Sequence, residues 1–171
     1  MTKLINKRGF TLIEILIVII VLGILAMIIV PQITVSTEDA KVSTLQSSLS
    51  GIRSAIEIYY AQHGNQYPGQ TGTDGSPNAV AATAAAAMVV QLTQYTDSDG
   101  KVSVGKDTTF KYGPYIKSRT LPTNPFNDLT TVACDDTTDI TKVRAATGEG
   151  WKYHFITGVF YAADNTVHAA Y

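Results

Sequence analysis

Residues 7–31 read KRGFTLIEILIVIIVLGILAMIIVP, and the architecture of the whole chain turns on how Glu14 sits within them. From Phe10 to Val30 the run is apolar apart from Thr11, Glu14 and Gly23, and sixteen of its residues are Leu, Ile, Val or Phe. As a helix it is about 32 Å long, which matches a bilayer hydrocarbon core of about 30 Å. Those side chains favour insertion by about 5 to 10 kcal/mol, against about 3 kcal/mol for one charge within the span. A membrane anchor therefore tolerates Glu14 but gives no reason for it. Lys3, Lys7 and Arg8 cluster ahead of the run, which by the positive-inside rule places the N-terminus in the cytoplasm and everything after Val30 outside.

An ordinary secretory signal has a 7 to 15 residue apolar core followed by a small-residue cleavage site. Here the core is too long and no A-x-A follows it; the small residue at a plausible processing point, Gly9, comes before the core. Cutting after Gly9 would remove the charged leader and leave Phe10 as a new N-terminus at the membrane edge.

The pattern K-R-G-F-T-L-I-E at residues 7–14, with the apolar run, Gly23 and Pro31 behind it, resembles the prepilin motif of type IV pilins and type II secretion pseudopilins. The resemblance covers roughly residues 3–35. It implies that a prepilin peptidase cuts between Gly9 and Phe10 and methylates the Phe10 amine. Subunits would then leave the inner membrane, through an assembly platform and with minor pilins or pseudopilins, to pack their helices into a homopolymeric filament with heads outward.

In lipid or a dry helical bundle an unpaired carboxylate is costly. Cleavage frees an amine that is positive at neutral pH, with a pKa near 8. Glu14 is then expected to pair with the Phe10 amine of a neighbouring subunit and set axial register. The competing role is local: Glu14 lies in a first helical turn, where negative charge suits the macrodipole.

Beyond Pro31 a helical period persists. Val35, Val42, Leu49 and Ile56 recur every seven residues, with Leu45, Ile52 and Tyr59 interleaved, which makes one apolar stripe. One helix is expected from about Phe10 to His63, stopped by Gly64, with kinks at Gly23 and Pro31. The stripe serves either a globular head or a coiled-coil dimer. Four segments follow: a leader at 1–9, a transmembrane and assembly helix at 10–31, its amphipathic half at 32–63, and a globular head at 64–171. The fold class expected is α+β, a long helix packed on a small antiparallel sheet.

Within the head, GNQYPGQTGTDGSPN (64–78) is turn chemistry, and its G-x-x-Y-P at Gly64, Tyr67 and Pro68 resembles major pseudopilins. Ala79 to Tyr95 is alanine-rich and predicts a second helix, with Ser76-Pro77 as cap and first turn. The proline-pinned stretch 112–128 is expected to be extended; its PYI and LP-x-NP pieces also resemble the pseudopilin head. Residues 128–150 read as a surface loop. WKYHFI, VFYAA and TVHAAY alternate with period two and are parted by Thr157-Gly158 and Asp164-Asn165, which predicts a three-stranded meander with two-residue turns.

Formal net charge is -1, which offers no footprint for nucleic acid. His63, His154 and His168 show no zinc spacing, and no nucleophile elbow, phosphate loop or paired-carboxylate motif marks an enzyme. Cys134 is the single cysteine, so it is either a buried thiol or an interchain bridge. Asp97-x-Asp99-Gly100 lacks a full calcium ligand series and reads as a turn. Major pseudopilins bind calcium in an acidic loop near the C-terminus, and Asp135, Asp136 and Asp139 are the residues in a comparable region. Phe10, Tyr59, Tyr60, Tyr67 and Tyr95 read as packing aromatics in preference to a conducting path. The lack of a cysteine pair argues against pilins with a disulfide-closed loop, and the head motifs point to a type II secretion pseudopilus. The alternatives are a surface type IV pilus for adhesion, motility or DNA uptake, and a monomeric single-pass anchored binding domain.

Overall fold

The computed structural model describes residues 9–78, 80–136 and 148–171, with the side chains of residues 28–36 left aside. The chain divides into two compact units, Met1–Ala40 and Lys41–Tyr171. Helix α1 (Leu12–Gln62) belongs to both. It runs as one continuous helix through Gly23 and Pro31. In the second unit follow α2 (Ala81–Thr93), β1 (Tyr95–Thr96), β2 (Val102–Ser103), β3 (Val132–Asp135), β4 (Trp151–His154), β5 (Val159–Ala162) and a 3-10 turn, η1 (His168–Ala170).

The stripe on the second half of α1 is the floor of the head. Leu45, Leu49, Ile52, Ala55, Ile56 and Tyr59 are buried and form one core with Ala84, Met88 and Leu92 of α2, Leu121, and Trp151, Tyr153, Phe155, Phe160 and Ala162 of the sheet region. The stripe therefore packs on its own head. Val42 is half-buried, and the Val35 side chain lies outside the described residues. Gly64 ends α1 as expected: its φ is 63°, and the Asn65 amide donates to the Tyr60 carbonyl at 3.1 Å, the bond of a Schellman stop. Tyr60 and Tyr67 stack across this stop with ring centroids 4.3 Å apart.

Ser76 and Pro77 do not cap α2. Val80 holds the cap position without a side-chain bond, because the preceding residues are engaged in a tight loop. Thr71 bridges Pro77, and the Gly72 amide donates to the Ser76 carbonyl at 2.6 Å. The turn reading of Asp97 to Gly100 holds: Asp97 Oδ1 accepts from the Asp99 and Lys101 amides, each at 2.9 Å, inside the antiparallel β1–β2 hairpin.

The three-stranded sheet has the order β3-β4-β5, with β4 and β5 antiparallel but β3 and β4 parallel. This corrects the expected meander in three respects. Its third strand comes from 132–135, within the stretch read as a surface loop, and not from TVHAAY. The β4–β5 ladder closes at His154↔Val159, so the connection has four residues, and within it Phe155 turns into the core. Gly158 sits there at φ 73°, and a Cβ on it would overlap the Tyr67 ring. TVHAAY becomes η1 because the Asn165 side chain accepts from the His168 amide at 2.8 Å, a side-chain cap that competes with extended backbone. Ala169 of η1 then packs with Tyr161 in a second small cluster.

Candidate assembly and processing site

The scissile candidate, Gly9–Phe10, precedes the helix in irregular, exposed backbone. Phe10 is 82% exposed. Thr11 is the last non-helical residue and Leu12 the first helical one, which makes Thr11 the N-cap and Glu14 the third helical residue. The contacts are those of a capping box. The Thr11 amide donates to Glu14 Oε2 at 2.7 Å, the Thr11 hydroxyl donates to the same oxygen at 2.8 Å, and the Glu14 amide donates to the Thr11 hydroxyl at 3.3 Å. The signal for this, T-x-x-E at residues 11–14, was available in the sequence and adds Thr11 to the candidate residues. Among the described residues no hydrogen bond ends on Oε1 of Glu14, so half of the carboxylate is open to a second donor.

Every large apolar side chain from Phe10 to Met27 is at least 45% exposed. They point to all sides of the helix, and such a helix requires a surrounding of lipid or protein. Among the described residues no helix is long and apolar enough to cross a membrane. The side chains of Ile28 to Val30, which complete the Phe10–Val30 run, lie outside the described residues, as does the Pro31 ring.

The other singled-out residues stand apart in the head. Asp135 ends β3, with Lys152 Nζ at 3.5 Å from its carboxylate; Asp136 is exposed; Asp139 lies outside the described residues. Among the described residues no group of three His, Cys, Asp or Glu could hold a metal ion. Cys134 packs against the core from β3, and burial, with Asp135 beside it, pushes its thiol up to about 12. The three histidines have separate structural roles. His63 lies on Tyr59 at the end of α1. His154 Nδ1 accepts from the Thr157 amide at 3.2 Å. His168 contacts the Asp164 carboxylate, which also accepts from Asn124 at 2.9 Å.

The family described as the prokaryotic N-terminal methylation motif matches residues 4–30. Three relatives illustrate the range of similarity. The type II secretion system core protein G of Pseudomonas aeruginosa is 43% identical over 54 residues, 32% of this chain and 38% of that protein. The type IV major fimbrial protein FimA of Dichelobacter nodosus is 32% identical over 107 residues, 56% of this chain and 69% of FimA. A fimbrial protein of Neisseria meningitidis is 41% identical over 69 residues, 40% of each chain. The chain thus spans well under half of the first and third of these relatives and over two thirds of the second. No solved structure matches.

Proposed function

Because the chain belongs to the type IV pilin family, which joins fimbrial proteins with the core protein G of type II secretion systems, we propose that it is a structural subunit of a pilus-like filament, of the type II secretion pseudopilus kind. One observation carries the reading: an apolar helix exposed on all sides begins two residues after Gly9–Phe10, capped by the carboxylate that the motif requires. Leader removal after Gly9 by a prepilin peptidase and methylation of Phe10 belong to this reading. So do anchorage in a bacterial inner membrane with the head in the periplasm, and transfer through an assembly platform into a filament of identical subunits.

The cap and the intersubunit pair do not compete. Thr11 occupies Oε2, and a carboxylate offers about four lone-pair sites on two oxygens. Oε1 can therefore accept the Phe10 amine of a neighbour while the helix start stays satisfied. A surface type IV pilus is the second reading, favoured by the 107-residue match to FimA, which extends well past the N-terminal motif.

Intact-mass and N-terminal analysis of the protein from its native envelope tests the reading. Loss of Met1 to Gly9 with one methyl on Phe10 is expected, and an intact leader would overturn it. Glu14→Ala subunits that insert and are processed normally should fail to build filaments; wild-type filament yield would remove the pairing.

A further inference from the structure

Two surfaces of the head stand open among the described residues, one concave and one convex. The concave one is a cleft of about 660 Å³ along α1, lined by Leu49, Ser54, Glu57 and Ile58 and closed on its far side by Tyr171. Ile58 lies off the buried stripe and is 51% exposed. The other polar groups of the cleft are satisfied by the chain itself. Arg53 donates from Nε to the Phe160 carbonyl at 2.9 Å and from Nη2 to the Tyr171 carbonyl at 2.6 Å, which fixes the far wall. The Ser54 hydroxyl folds back onto the Ser50 carbonyl at 2.8 Å. Glu57 is exposed, and among the described residues no hydrogen bond or ion pair ends on its carboxylate. The cleft is thus apolar in its floor and rim, with one uncommitted negative charge.

The convex surface follows β2. Val104 is 79% exposed, more than any other large apolar side chain described in the second unit. Local bonds hold its loop in shape: the Ser103 hydroxyl accepts from the Gly105 amide at 3.2 Å, and Asp107 Oδ1 accepts from the Thr109 and Phe110 amides, each at 2.7 Å. Asp107 is occupied by these amides, whereas the neighbouring Lys106 is exposed and bonds to nothing among the described residues. A preformed loop loses little freedom on docking. It presents an apolar tip with an uncommitted positive charge beside it, the complement of the cleft.

We propose that the Val104–Lys106 loop of one copy of this chain seats in the Glu57–Ile58 cleft of the next, with Val104 on Ile58 and Lys106 facing Glu57. The inference rests on the filament reading and names the head contact that orders the subunits. No residue lines both surfaces, so every copy offers one of each, and a contact of this heterologous kind propagates where a self-complementary patch would stop at a pair. One loop in one cleft is too small to hold two copies alone. The exposed apolar half of α1 supplies the association, and the head contact, repeated along the fibre, selects its register.

The test uses full-length Val104→Cys/Ile58→Cys subunits, oxidised in the native cell with copper phenanthroline; Val104→Cys/Ser54→Cys covers a displacement of one helical turn. A disulfide needs Cα atoms within about 7 Å, so a bond reports the contact itself. Each copy carries both thiols, and a ladder extending beyond the dimer is expected, with none from the single-cysteine variants. Glu57→Lys and Lys106→Glu should each lower filament yield roughly fivefold, and the two together should recover most of the loss, with the head's thermal transition unchanged throughout. Should the cysteine pairs block assembly, the charge exchange decides. Dimers without a ladder, filaments of normal yield with no bond from either pair, or charge losses that add instead of cancelling would each overturn the contact and leave the filament reading standing. An intact leader and no filaments from the parent chain would overturn both.

Discussion

The two ends of α1 both carry apolar side chains and have opposite fates. From Leu12 to Met27 the apolar side chains face all directions and stay exposed; from Leu45 to Tyr59 all but the exposed Ile58 keep to one stripe and are covered by α2, Leu121 and the sheet region. The difference is in the pattern. An apolar circumference can be satisfied only by a surrounding of lipid or other helices, whereas a stripe can be satisfied by the chain's own head. One half therefore specifies association and the other specifies a domain, and substitutions in the two halves should separate these properties.

The largest expected effects come from the pair Trp151→Ala and Ile20→Lys. Trp151 is fully buried against Phe160, with centroids 5.5 Å apart, and its indole donates to the Pro122 carbonyl at 2.8 Å. Its truncation should cost about 3 to 5 kcal/mol, read as a fall of well over 10 °C in the head's thermal transition. Ile20→Lys should leave that transition within about 0.5 kcal/mol of the parent and yet eliminate filaments in the native cell. A destabilised head in Ile20→Lys, or normal head stability in Trp151→Ala, would erase the contrast.

Inside the head, Gln91 sharpens it. This wholly buried amide accepts from the Gly69 amide at 2.7 Å and donates to the Thr71 and Gly100 carbonyls at 3.0 and 2.8 Å, tying the α1–α2 loop and the β1–β2 turn to α2. Gln91→Ala strands these groups in the core and should cost about 2 to 3 kcal/mol, seen as a lower urea midpoint. At the other end of α1, Thr11→Val removes the hydroxyl of the cap and should cost about 1 kcal/mol. The exchange of the Ile13 and Glu14 amides should then rise roughly fivefold with no change in the head transition.

The long helix, its stop at Gly64 and its buried stripe were legible in the sequence because each rests on local periodicity or a glycine at a left-handed position. So was the short motif around Gly9 and Glu14, which lies within the family match over residues 4–30. The parallel strand at 132–135 was not, since its partner Trp151–His154 lies across a long connection and no local pattern announces a non-local pairing. TVHAAY has strand alternation, but the local Asn165 cap on the His168 amide, three residues on, turns the segment helical. The Thr11–Glu14 box was written at the proper spacing, but the apolar run around it drew the reading of Glu14 toward the membrane.

The smallest expected effect concerns whether the head is as self-sufficient as its core implies. A calcium ion near the end of β3 would need Asp135, yet Lys152, only 7% exposed, places its ammonium 3.5 Å from that carboxylate. A divalent cation there would have to displace or repel a largely buried like charge, and Lys152 would be left without its partner in low dielectric, an arrangement that costs several kcal/mol. Adding a chelator to the full chain in detergent should therefore move the head's thermal transition by less than about 1 °C. A fall of several degrees, reversed by calcium alone, would mean that the loop beyond Asp136 supplies ligands strong enough to outbid Lys152. In that event the head, like the apolar half of α1, would depend on something outside its own chain for completion.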